Sequence, residues 1–154
     1  LGIKLGIRLM AKARMLTLLV VIAHWVVAVL HLFLAAKVLP APNSNVSWLA
    51  ITLITLGHLG VSIGLWELSD KLAGFVSLTF FLAALGADLY EHFLHASANN
   101  VFVVAAGDWT ARFDASVVLL LALEILGCML GTLLLSRRTR KNSQPRFTNQ
   151  SVLS

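Results

Sequence analysis

The chain has 154 residues, of which 58% are apolar and only 12% charged, with a net charge of +5 and a mean hydropathy of +0.87. Soluble domains carry about 25% charged residues, so this composition excludes a soluble enzyme, a disordered tail protein and a secreted disulfide scaffold. The single cysteine, Cys128, lies in an apolar run and has no partner in its own chain.

The stretch 1–14 carries Lys4, Arg8 and Lys12 at four-residue spacing among Leu and Ile. As a helix it would lie on the inner leaflet, with anionic lipid as its partner. Topology-setting positive charge is the plainer alternative. Nucleic acid is not an expected partner: there is no zinc-finger spacing, aromatic RNA-binding motif or phosphate-cradling glycine loop.

Four apolar segments follow, at 15–36, 48–66, 72–95 and 115–135. A span needs about 20 residues. The third reaches that length only if its helix continues through Asp88 toward His95. The first is too long in its apolar part for a secretory signal, and no small-x-small cleavage site follows it. It is read as a retained helix. The fold expected is an all-α integral membrane protein, a four-transmembrane-helix antiparallel bundle. Within the bundle, the Gly60/Gly64 and Gly127/Gly131 pairs, with Ala83 and Ala87, would let backbones approach.

Connections and charge give the orientation. Lys37 and Arg112 are the only two of the 12 Lys and Arg residues that fall at one end of the spans. The positive-inside rule then puts both termini on the cytoplasmic side. The Pro40–Asn45 turn and the segment 96–114 become outer loops. The Val101–Ala106 patch would lie on the interface or cover the outer mouth. Asn45 begins a glycosylation pattern close to Trp48. Residues 136–154 form a polar, basic tail read as flexible.

Ionisable groups inside a bilayer are functional candidates, because an unpaired polar group there costs several kcal/mol. His24, His58 and Glu124 fall near the centres of three different spans, giving a two-histidine, one-carboxylate set at one level. His31 lies about 10 Å further out on the face of His24. Asp88, Glu91, His92 and His95 form an i, i+3, i+4, i+7 stripe on the third span. Asp108 and Asp114 follow in the next loop.

These positions support competing functions. Haem b ligated by His24 and His58 would suit electron transfer with partner subunits. Alternatively His24, His58 and Glu124 would bind a transition metal such as Fe, Cu or Zn. A second ion would then sit among His31, Asp88, Glu91, His92 and His95. The rival is a hydrogen-bonded trio with no cofactor. Other readings are an accessory subunit of a larger membrane complex, or a homo-oligomer, and a proton or cation pathway through Glu124, His58, Asp88 and His31. The sequence names no catalytic residue and does not decide whether the protein is an enzyme.

Overall fold

The computed structural model describes residues 2–38, 48–97 and 99–136. The 40–45 turn with its Asn45 pattern, the tail beyond Ser136 and the side chains of the first ten residues lie outside the described residues. The elements are α1 (Gly2–Val38), α2 (Trp48–Glu67), α3 (Asp70–Leu89) and α4 (Thr110–Ser136), with a π-helical turn at Tyr90–Leu94. Among the described residues there is no strand. All four helices are long and apolar enough to cross a membrane. Large apolar side chains cover their outside, including Leu53, Ile63 and Met129 at 60%, 53% and 64% exposure. That exterior suits acyl chains and is consistent with a multi-pass membrane protein.

Contacts at the two ends show the helices alternating in direction. At one end, called here the basic end, Arg14 of α1 meets the end of α2 and the start of α3. At the other, the loop end, His31 of α1 meets Ser116 of α4. Helix α4 packs most extensively, against α3 and α1, and α2 closes the ring. Residues 2–14 continue into the first span within one helix.

The short α2–α3 connection is held by Arg14. Its Nε bonds Asp70 at 2.6 Å, and its two terminal nitrogens donate to the carbonyls of Leu65 at 2.8 Å and Leu68 at 2.7 Å. The last carbonyls of a helix have no intrahelical donor, so this guanidinium satisfies α2 while its charge meets the acid in the first turn of α3.

Glycines set how closely α3 and α4 approach. A Cβ on Gly127 would fall 2.3 Å from the Phe81 ring, and one on Gly131 would fall 2.8 Å from the backbone nitrogen of Leu78. The Gly127/Gly131 pair therefore receives α3 directly. The Gly60/Gly64 pair behaves differently. Gly60 faces open space, and a Cβ on Gly64 would make ordinary contacts. Ala83 and Ala87 are exposed. The face of α3 that meets α4 is instead Ala73, Gly74, Ser77 and Phe81, all buried.

The third span continues past Asp88, but not as a regular α-helix. The backbone N–H of His95 bonds the carbonyl of Tyr90 at 2.7 Å, closing a turn one residue wider than α. The extra residue rotates the helix end and splits the expected stripe. His92 is buried at 4% exposure and Asp88 is half-buried, while His95 is exposed. Glu91 pairs outward with His95, Oε2 to Nδ1 at 3.4 Å, and bonds Ser97 and Asn99 of the loop. The Val101–Ala106 patch divides: Val101 and Val104 pack under the loop, while Phe102 and Val103 are exposed.

Candidate functional site: a buried histidine–histidine–carboxylate line

His24, His58 and Glu124 come from α1, α2 and α4, and their exposures are 4%, 6% and 0%. Their midspan positions put them at one depth, and they meet in a line. Nδ1 of His24 lies 2.7 Å from Nε2 of His58. Nε2 of His24 lies 3.1 Å from Oε1 of Glu124. Nδ1 of His58 lies 2.6 Å from the carbonyl oxygen of Ile54, one turn back on its own helix. The two rings are stacked with centroids 5.0 Å apart. Phe80 and Phe81 set their edges against them and exclude solvent.

The partners fix where hydrogens can be. A carbonyl only accepts, so His58 Nδ1 carries a proton and donates to Ile54. Each of the other two contacts then holds one shared proton. With both imidazoles neutral, His24 Nδ1–H donates to His58 Nε2, and the Glu124 acid donates to His24 Nε2. Moving one proton gives an ionised Glu124 beside a His24 cation. Moving a second passes that charge to His58. Every arrangement satisfies all three hydrogen bonds and keeps the line's net charge at zero. A closed set of this kind avoids the cost of an isolated ion in a low-dielectric interior.

One atom of the set is left over. Oε2 of Glu124 is buried without a hydrogen-bond partner. Asp88 of α3 is a second carboxyl that interacts electrostatically with Glu124, His24 and His92.

A second polar cluster lies toward the loop end. Ser116 Oγ donates to the carbonyl of Phe113 at 2.6 Å, so it accepts from His31 Nδ1–H at 2.8 Å. His92 Nδ1–H donates to the carbonyl of Asn99 at 2.9 Å. The His31 and His92 rings meet edge to face with centroids 4.8 Å apart, beside the buried ring of Phe113. Asn100 ties the loop down by donating to the carbonyl of His95 and accepting from the N–H of Phe102. Asp114 Oδ1 and Asn99 Oδ1 are buried without partners, and Asp108 is exposed.

The structure thus brings His24, His58 and Glu124 together, joins His31 to His92, and leaves Glu91 and His95 at the surface. Haem ligated by His24 and His58 would need their ligating nitrogens on opposite sides of the iron, about 4 Å apart at roughly 2 Å per bond. The facing nitrogens here are 2.7 Å apart and hydrogen-bonded. Among the described residues, no group of three or more His, Cys, Asp or Glu side chains is arranged to hold a metal ion.

Ser116 and the Phe80–Phe81 pair are not among the residues that the sequence reading points to. Ser116 had a readable signal, since Phe113, Ser116, Leu120, Glu124, Gly127 and Gly131 repeat at helical spacing and are all buried. His58 also lines a cleft of about 180 Å³ between α1 and α2, with Trp25, Thr55 and Ser62. Comparison with family models, curated proteins and solved structures finds no match for this chain.

Proposed function

We propose that this protein is an intramembrane proton relay, in which Glu124, His24 and His58 hold a proton at the bilayer midplane and pass it between α4 and α2. The observation that carries this reading is the unbroken hydrogen-bonded line across three helices, in which each proton position has a donor and an acceptor. Imidazole suits such a role because one ring nitrogen can accept a proton while the other releases one. The proton enters or leaves at the carboxylate end, and is presented at His58 beside the cleft between α1 and α2. The reaction class is proton transfer, coupled to the chemistry of a partner subunit or a second copy. The Lys and Arg distribution orients the basic end to the cytoplasmic side, against anionic lipid.

Haem or transition-metal ligation at His24, His58 and Glu124 ranks behind this reading, because a ligand role would break the His24–His58 hydrogen bond.

Infrared difference spectroscopy of the full chain in lipid bilayers, between acidic and neutral pH, tests the relay. A carboxyl band that vanishes in Glu124→Gln identifies Glu124. The relay requires that band to shift in His58→Leu, although His58 does not touch Glu124. A Glu124 band indifferent to His58 would reject the reading.

A further inference from the structure

We infer that Asp88 joins the midplane line to the loop-end cluster of His92 and His31, and that the Glu124 end of the relay exchanges protons with water toward the loop end and not through the core toward the basic end. This rests on the relay reading and gives it a direction. Two independent features of the fold carry it.

The first lies on the loop side of the line. Glu124 Oε2 is fully buried and has no hydrogen-bond partner. Asp88, half-buried on α3, interacts electrostatically with Glu124, His24 and His92. Asp88 and His92 are one turn apart, and the π-helical turn that begins after Leu89 carries His92 into the interior. From His92 the polar chain reaches the Asn99 carbonyl in the loop. Ionisable groups therefore follow one another from the midplane to the loop: Glu124, Asp88, His92 and, beside it, His31. Glu91 and His95 stand at the surface where that chain ends.

The second lies on the basic side. Phe81 is fully buried with its ring edge against His24, in the notch that Gly127 leaves open. Behind it, Val20, Val21, Val61, Leu65, Ala73, Leu130 and Leu134 form one buried apolar cluster. The polar side chains buried at that level do not continue the line. Thr17 donates to the carbonyl of Ala13 on its own helix, and Ser77 Oγ has no partner. Arg14 and Asp70, beyond the cluster, are bonded to each other and to the end of α2. A proton leaving His24 or Glu124 toward the basic end would have to cross this layer without a carrier. The glycine-permitted contact of α3 and α4 is what closes it.

The experiment uses the full chain, with Trp48, Trp66 and Trp109 replaced by Phe, reconstituted into phosphatidylcholine vesicles. Those three tryptophans are exposed. Trp25, which lines the cleft with His58, then reports the charge state of that ring by its fluorescence. Orientation is scored with an impermeant thiol reagent against Val103→Cys on a Cys128→Ser background. A rapid external pH jump is applied to vesicles presenting either end. The expected result is a fast Trp25 response when the loop end faces the jump, and a response to a basic-end jump only after a protonophore is added. Asp88→Asn should slow the loop-end response at least tenfold, and Phe81→Ala should open a basic-end response. An equally fast response from both ends, or an unchanged rate in Asp88→Asn, would overturn the inference while leaving the relay standing. No Trp25 response at either end, even with protonophore, would overturn the relay itself.

Discussion

Replacing His24 with leucine is the sharpest perturbation of the interior, because this one side chain bonds two other helices. The substitution strands His58 Nε2, which loses its 2.7 Å partner, and Glu124 Oε1, which loses its 3.1 Å partner. Each buried group left without a partner costs about 1–3 kcal/mol, so the pair predicts a loss of roughly 2–6 kcal/mol. Interhelical hydrogen bonds in membranes average about 0.6 kcal/mol each, so two of them set a floor of about 1 kcal/mol. The same logic predicts a rescue. Adding His58→Leu and Glu124→Leu removes the stranded atoms and should restore most of the stability, since replacing all partners with apolar groups is nearly neutral. Reversible unfolding in mixed detergent micelles measures both. A loss below about 0.5 kcal/mol for His24→Leu, or a triple variant less stable than the single one, would refute the hydrogen-bonded line as the cause.

Other consequences are as direct. Gly127→Ala should destabilise by about 1–3 kcal/mol through overpacking against Phe81, whereas Gly60→Ala, in open space, should be neutral or slightly stabilising in the same assay. Arg14→Gln should loosen the α2–α3 turn by about 1–3 kcal/mol from stranded carbonyls. The ion pair with Asp70 adds little, because both side chains are about a quarter to a third exposed, 27% and 30%; faster hydrogen exchange at Leu68 and Ala73 would register the loosening. Glu124→Gln should keep the fold, since an amide N–H can donate to His24 Nε2, while abolishing proton movement. Gently purified protein should show no Soret band and no stoichiometric metal by absorption and elemental analysis; a haem spectrum would displace the relay reading.

Much of the architecture could be read in the sequence because charge is so scarce. Runs such as 15–36 lack any Asp, Glu, Lys or Arg, and little but a bilayer suits such a run. Depth matching places His24, His58 and Glu124 at one level, since position along a span of known rise fixes level, and their side chains are in contact. Facing direction was harder. The Asp88–His95 stripe assumes a regular helix, and the π-helical turn, whose His92 bonds the loop at Asn99, redistributes it between interior and surface. Small-residue pairs were likewise ambiguous. Gly60/Gly64 and Gly127/Gly131 have the same spacing, and only the position of Phe81 on the neighbouring helix distinguishes them. The pairing of His24 with His58, rather than of each with a cofactor, turns on ring orientations that helical spacing does not contain.

Nitrogen-15 magnetic resonance of histidine-labelled protein in lipid bilayers tests the central claim most directly, because it reads each ring nitrogen's proton. The account predicts that His58 is protonated at Nδ1, and that a shared proton gives a through-hydrogen-bond coupling between His24 Nδ1 and His58 Nε2. Glu124→Gln should leave that coupling in place. Two rings without mutual coupling, with His58 Nδ1 unprotonated, would contradict the relay.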